Sequence, residues 1–159
     1  MIEAALHQAL RDSVDEVLEK MFFAETLGEA PGASPEADDI AVELSFEGEE
    51  PGVMCLRLTA AAAREIAADF LGIETAEISP IQVSEVVREL ANMICGSVLS
   101  RVESAVVFRL GVPRIVAPSP QLPPPSAQPL YCVQLSNGRI TVNIVTGTSQ
   151  CPRLVPSAS

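Results

Sequence analysis

The chain has 159 residues, 48% of them hydrophobic, and a formal charge of −11; these values exclude a disordered chain and fit one domain with a substantial core. A pI near 4.4, with basic side chains spread singly rather than clustered, argues against nucleic acid and anionic membrane as partners. No stretch approaches the ~18 apolar residues of a membrane span, and the early acids Glu3, Asp12, Asp15 and Glu16 do not suit a signal peptide, so a cytoplasmic location is expected.

Ile2, Leu6, Leu10, Val14, Val17, Leu18, Met21 and Phe22 recur at three- and four-residue steps, which predicts one long amphipathic opening helix. Gly28 to Glu36 reads as a loop, after which Ile40, Val42, Leu44 and Phe46 alternate as a half-buried strand. The acidic Gly48-to-Gly52 turn leads to a second strand through Val53, Cys55 and Arg57, a hairpin with the first. Thr59 is placed to cap an alanine-rich helix ending at Phe70 or Leu71, with Gly72 as its stop.

After Ser79-Pro80 a central helix is predicted from about Gln82 to Arg101. At about 100° per residue, Val83, Val86, Val87, Leu90, Ile94, Ser97 and Val98 fall in one arc, while Glu85, Glu89, Asn92 and Gly96 fall together outside it. Glu89 and Asn92 stand one turn apart, so a carboxylate and an amide can reach one partner together. Gly96 lies one turn further, where a missing side chain lets another backbone approach, although glycine inside a helix costs about 1 kcal/mol relative to alanine. Four positions on one polar face make a docking surface.

Ala105 to Leu110 and Arg114 to Ala117 read as short strands around Gly111-Val112-Pro113. Residues 118–129, with Pro120, Pro123, Pro124 and Pro125, form a stiff Pro-rich loop. Leu130 to Leu135, a type I′ turn signal at Asn137-Gly138, and Ile140, Val142 and Ile144 predict a closing hairpin. The expected organisation is a single domain over residues 1–148 and a flexible tail over 149–159. Its fold class is α+β, a mixed or antiparallel sheet covered by helices. A degenerate internal helix-strand-strand repeat is visible as well: Asp12, Glu16 and Glu19 align with Glu85, Glu89 and Asn92. The first copy carries Glu19 at the amide position and Phe23 at the glycine position, so only the second keeps the pair.

Glu89-Leu90-Ala91-Asn92-Met93-Ile94-Cys95-Gly96 resembles the signature helix of the CheX branch of the CheC/CheX/FliY chemotaxis phosphatases. In that family an acidic or serine residue leads, glutamate follows four later, asparagine three after that, and a proline some twenty-odd residues downstream. Glu85 and Pro113 stand nearest the outer two positions, Glu85 where the family has aspartate or serine and Pro113 slightly early. The single intact motif matches the one-motif CheX branch.

The resemblance implies a cytoplasmic homodimer whose partner is a phosphorylated CheY-like response regulator, and an activity that hydrolyses the regulator's aspartyl phosphate. Glu89 would pair with a regulator lysine and Asn92 would position water, with Glu85 and Gly96 serving partner docking. Phosphoryl transfer through a loose in-line transition state needs positioning above all, and an amide both accepts from and donates to water without titrating. No cofactor is expected on this chain; Mg²⁺ is expected in the regulator. The alternative is a module that binds a response regulator or a flagellar-switch component without hydrolysis.

Other residues read as structural. His7 is the lone histidine, on an opening helix and far in sequence from Ser84 and Ser97, so a solvated role outweighs a base. Asp38-Asp39 precedes a strand with no third ligand nearby. Cys55, Cys95, Cys132 and Cys151 lie far apart without histidines at ligand spacing, and are expected as free thiols, mostly buried.

Overall fold

A computed structural model describes residues 2–29, 38–48, 51–102, 109–116 and 130–146. The opening periodicity forms helix α1 (Ile2–Met21), which buries Leu6, Leu10, Val14 and Leu18 on one side. It ends where Phe23 adopts a left-handed backbone, φ 55°, and the Ala24 N–H donates to the Leu18 carbonyl at 2.8 Å. Strand β1 (Thr26–Glu29) follows, partly in a stretch that reads from sequence as loop. Leu27 and Glu29 are both exposed, so no apolar alternation marks it. Pairing with a distant strand supplies the order.

β2 (Ile40–Glu47) and β3 (Gly52–Leu58) form the expected hairpin, in register from Ile40 opposite Leu58 to Phe46 opposite Gly52. Val42, Leu44 and Phe46 turn inward with Met54, Leu56 and Leu58, as a period of two requires. Helix α2 (Ala60–Leu71) stops at Gly72, whose φ of 70° needs a residue without a side chain. Thr59 occupies the N-cap position but makes no cap bond; its hydroxyl instead accepts from the Arg139 N–H at 3.1 Å. The central helix is α3 (Pro80–Val102).

Two short strands, β4 (Arg109–Leu110) and β5 (Arg114–Val116), pair antiparallel with the same edge of β2, with Gly111, Val112 and Pro113 between them. The sequence-predicted extensions to Ala105 and Ala117 fall outside the described residues, as do the Pro-rich stretch and the tail. β6 (Leu130–Leu135) and β7 (Gly138–Thr146) close the sheet. Their turn is Ser136-Asn137, one residue earlier than predicted, and Asn137 has no positive φ, so it is not type I′. Gly138, at φ 146°, opens β7 instead, and a Cβ there would run into the Thr59 hydroxyl.

The strand order is β1-β6-β7-β3-β2-β4, with β5 also on β2, and every pairing is antiparallel. This order reads alike from both edges: β3 and β7 meet at the centre, β2 and β6 flank them, and β1 and the β4/β5 pair lie outermost. Among the described residues, each half is thus a helix followed by strands, β1 to β3 after α1 and β4 to β7 after α3, with α2 between the halves.

All three helices contribute to one hydrophobic core against one sheet face. The opposite face carries charge: Arg57 meets Asp39 at 3.4 Å and Arg114 meets Glu43 at 3.1 Å. Burial lowers the Arg57 guanidinium from its ordinary value, and Asp39 works against that shift. Cys95 and Cys132 are free and buried, but Cys55, on the outer face, is disulfide-bonded, which corrects the expectation of four free thiols. Sequence alone does not show which cysteines come within bonding distance. Among the described residues, no helix is long and apolar enough to cross a membrane.

Candidate functional site

α3 begins with a reciprocal cap that the sequence carries as Ser79-Pro80-Ile81-Gln82. The Ser79 hydroxyl accepts from the Gln82 N–H at 3.1 Å, and the Gln82 side-chain oxygen accepts from the Ser79 N–H at 2.9 Å. The start of the helix is thereby fixed, and so is the rotational phase of everything after it. Val83, Val86, Val87, Leu90, Ile94 and Val98 are buried as projected, joined by Ala91, Cys95 and Leu99. Ser97, placed in the same arc, bonds to the Ser13 hydroxyl of α1 at 3.0 Å.

The other face is as the projection has it. Glu85 and Glu89 are exposed, and Asn92 and Gly96 are half-buried. None of the four takes part in an ion pair or side-chain hydrogen bond among the described residues. Exposed Arg88 and Ile81, the latter 71% exposed, lie on this face too. Among the described residues, a Cβ added at Gly96 would meet only Leu110 Cδ1, at 3.8 Å. Packing among the described residues therefore does not demand glycine there.

Leu110 belongs to β4, so the interrupted edge strand lies beside the Gly96 end of the face. Gly111 N–H donates to the Ser45 carbonyl at 2.8 Å, and a Cβ at Gly111 would crowd the Ser45 hydroxyl at 2.6 Å. That close contact fixes the Gly111-Val112-Pro113 bulge, which presents Val112 at 79% exposure.

In the α1 copy two of the three aligned acids, Asp12 and Glu16, have partners. Glu16, matching Glu89, pairs with Arg101 of α3 at 2.5 Å. Asp15 accepts from the Tyr131 hydroxyl at 3.0 Å and Asp12 from the Gln8 amide at 2.9 Å. α1 stops at Met21, two residues before Phe23, so the turn that would match Gly96 is absent. Glu19 is exposed. The first copy is used to hold α1 in place.

His7 stands edge-on to the Tyr131 ring, with centroids 6.5 Å apart, and Asp39 is committed to Arg57. Among the described residues no three His, Cys, Asp or Glu side chains gather as a metal site. Among the described residues, the Glu85-to-Gly96 face is exposed, and its four polar-face positions are not engaged in ion pairs or side-chain hydrogen bonds. It offers a carboxylate and an amide to a partner but no nucleophile, consistent with a group that positions a reaction occurring on another molecule.

The sequence model of the family described as chemotaxis phosphatase CheX matches residues 40–136, a span containing all of α3. No curated protein matches the sequence. Among solved structures, the chemotaxis protein CheX from Vibrio vulnificus is 20% identical, with coverage of 91% of this chain and 97% of that one and a TM-score of 0.71. The CheX of a CheX-CheY-BeF3-Mg²⁺ complex from Borrelia burgdorferi is 17% identical, with coverage of 89% and 97% and a TM-score of 0.64. The FliM middle domain from Vibrio alginolyticus is 9% identical, with coverage of 94% and 95% and a TM-score of 0.57. At these identities the likeness concerns the fold.

Proposed function

The chain belongs to the family of chemotaxis phosphatases CheX, and from that premise we propose that it dephosphorylates a CheY-like response regulator by hydrolysing its aspartyl phosphate. The observation that carries this reading is the pairing of Glu89 and Asn92, one turn apart on an α3 face that the core does not use. That a structural neighbour is a CheX in complex with CheY, BeF3 and Mg²⁺ supports the choice of partner.

In this reading Glu89 forms an ion pair with a regulator lysine and sets the angle at which α3 lies on the partner. Asn92 then enters the regulator's site. Its amide accepts a hydrogen bond from water and orients a water lone pair in line with the phosphorus–oxygen bond. The water oxygen bonds to phosphorus as the bond to the aspartyl oxygen breaks. The electron pair returns to the aspartate carboxylate, and the water proton leaves with phosphate or solvent. Such a loose displacement gains most from position, so a neutral amide is adequate. Mg²⁺ held by the regulator supplies charge neutralisation. Glu85 extends the docking surface, and Gly96 lets a partner backbone approach. We place the protein in the cytoplasm as a homodimer, a mass that light scattering measures.

The test is phosphate release from regulators charged with acetyl phosphate in Mg²⁺, with and without the protein. Faster release from at least one regulator is expected, with Glu89→Ala acting on KM through poorer docking. An unchanged rate across a panel of regulators that nevertheless bind would reduce the protein to a binding module.

A further inference from the structure

Arg88 is the exposed cation beside Asn92 on the α3 face, and it is placed differently from the arginines that hold the fold. Ion pairs among the described residues engage Arg11, Arg57, Arg101 and Arg114, and Arg64 donates to the Thr75 carbonyl at 2.7 Å. Arg88 takes part in none, although Glu85 stands three residues before it at a spacing that favours pairing. Its guanidinium is exposed and uncommitted among the described residues.

Helix geometry places it well. With 3.6 residues per turn, Arg88 lies about 40° to one side of Asn92 and Glu89 about 60° to the other, both one turn nearer the N-terminus. Asn92 is therefore flanked by a cation and an anion on the preceding turn. A group that meets the Asn92 amide also comes within reach of the Arg88 side chain.

The α1 copy supplies an independent contrast. Aligning Glu16 with Glu89 sets Asp15 against Arg88 and Glu19 against Asn92. Both positions are acidic there, and Asp15 is bound to the Tyr131 hydroxyl. A dianionic group would be repelled by the Asp15 and Glu19 carboxylates, whereas at the two matching positions of α3 it meets a guanidinium and a neutral amide. The difference between the copies is thus one of charge at these two positions, while a glutamate is common to both.

We propose that Arg88 is a second catalytic residue, whose guanidinium contacts the aspartyl phosphate of the docked regulator beside Asn92; the inference rests on the phosphatase reading above. The step is the same displacement: the water oxygen bonds to phosphorus, the phosphorus–aspartyl oxygen bond breaks, and its electron pair leaves on the carboxylate. Arg88 gains and loses no proton, and its charge opposes the negative charge on the phosphoryl oxygens as the transition state forms.

The experiment measures kcat and KM of phosphate release from an acetyl-phosphate-charged regulator with the wild-type chain, Arg88→Ala and Arg88→Lys, their folding verified by circular dichroism. Arg88→Ala is expected to lower kcat about tenfold or more with little change in KM, and Arg88→Lys to recover part of the loss. Binding to regulator carrying aluminium fluoride should weaken more in Arg88→Ala than binding to regulator carrying beryllofluoride. A wild-type kcat in Arg88→Ala, or a change confined to KM, overturns the assignment while leaving the phosphatase reading intact. Failure of the wild-type chain to accelerate release overturns both.

Discussion

Replacing Gly96 by alanine should make the protein more stable and a poorer partner at once. Within the chain, the added methyl meets Leu110 Cδ1 at 3.8 Å, ordinary van der Waals contact. A glycine inside a helix is about 0.5–1 kcal/mol less favourable than alanine, and half-burying one methyl group adds a few tenths. The sum is about 1 kcal/mol of added stability, or about 2–4 °C in Tm for a chain of this size. Urea unfolding followed by far-UV circular dichroism reads it as a higher midpoint at unchanged slope. Toward a docked regulator the same methyl is an intrusion. Forcing one into a packed contact costs about 1–3 kcal/mol, roughly a five- to 150-fold loss of affinity for beryllofluoride-charged regulator. A destabilised variant would refute the reading of the space around Gly96, and unchanged affinity would remove Gly96 from the docking surface.

Other substitutions probe the frame of the site. Tyr131→Phe removes the 3.0 Å bond to Asp15 that ties β6 to α1, and should cost about 1–2 kcal/mol in urea unfolding. Burial, followed by the bond to Asp15, raises the Tyr131 phenol above its ordinary value. Its contribution is therefore complete at neutral pH and is lost as pH rises past about 10, where the unfolded phenol ionises, so wild type and variant should converge in strong base. Burial also pushes the Cys95 thiol up to about 12. Iodoacetamide at pH 8 should leave Cys95 unmodified in the native protein and label it in urea, as mass spectrometry of the peptide would read; rapid native labelling would place it outside the core.

Where local pattern and tertiary packing agree, the sequence was legible. α3 carries its own cap in Ser79 and Gln82 and its own apolar arc, so the polar face with Glu85, Glu89, Asn92 and Gly96 could be located by period alone. The β2/β3 and β6/β7 hairpins were legible for the same reason, since alternation marks strands with one buried face. What escaped depends on distant partners. β1 is nearly all exposed and is ordered by pairing with β6. The final turn shifted because Gly138 serves the close approach of Thr59 and Ala62 rather than the turn itself. The Thr59 hydroxyl was expected at the helix it precedes and was taken by Arg139. In the first copy, sequence showed degeneracy but not its use, because the bond between Asp15 and Tyr131 spans 116 positions. The significance of Arg88 needed both its place beside Asn92 on the exposed face and the contrast with Asp15.

The phosphatase account depends most directly on Asn92. Single-turnover phosphate release from acetyl-phosphate-charged regulator in Mg²⁺, with wild type and Asn92→Ala at concentrations that saturate the regulator, isolates the chemical step from docking. The account predicts that the wild type accelerates release and that Asn92→Ala binds comparably yet returns the rate to that of the regulator alone. Acceleration undiminished in Asn92→Ala would contradict it.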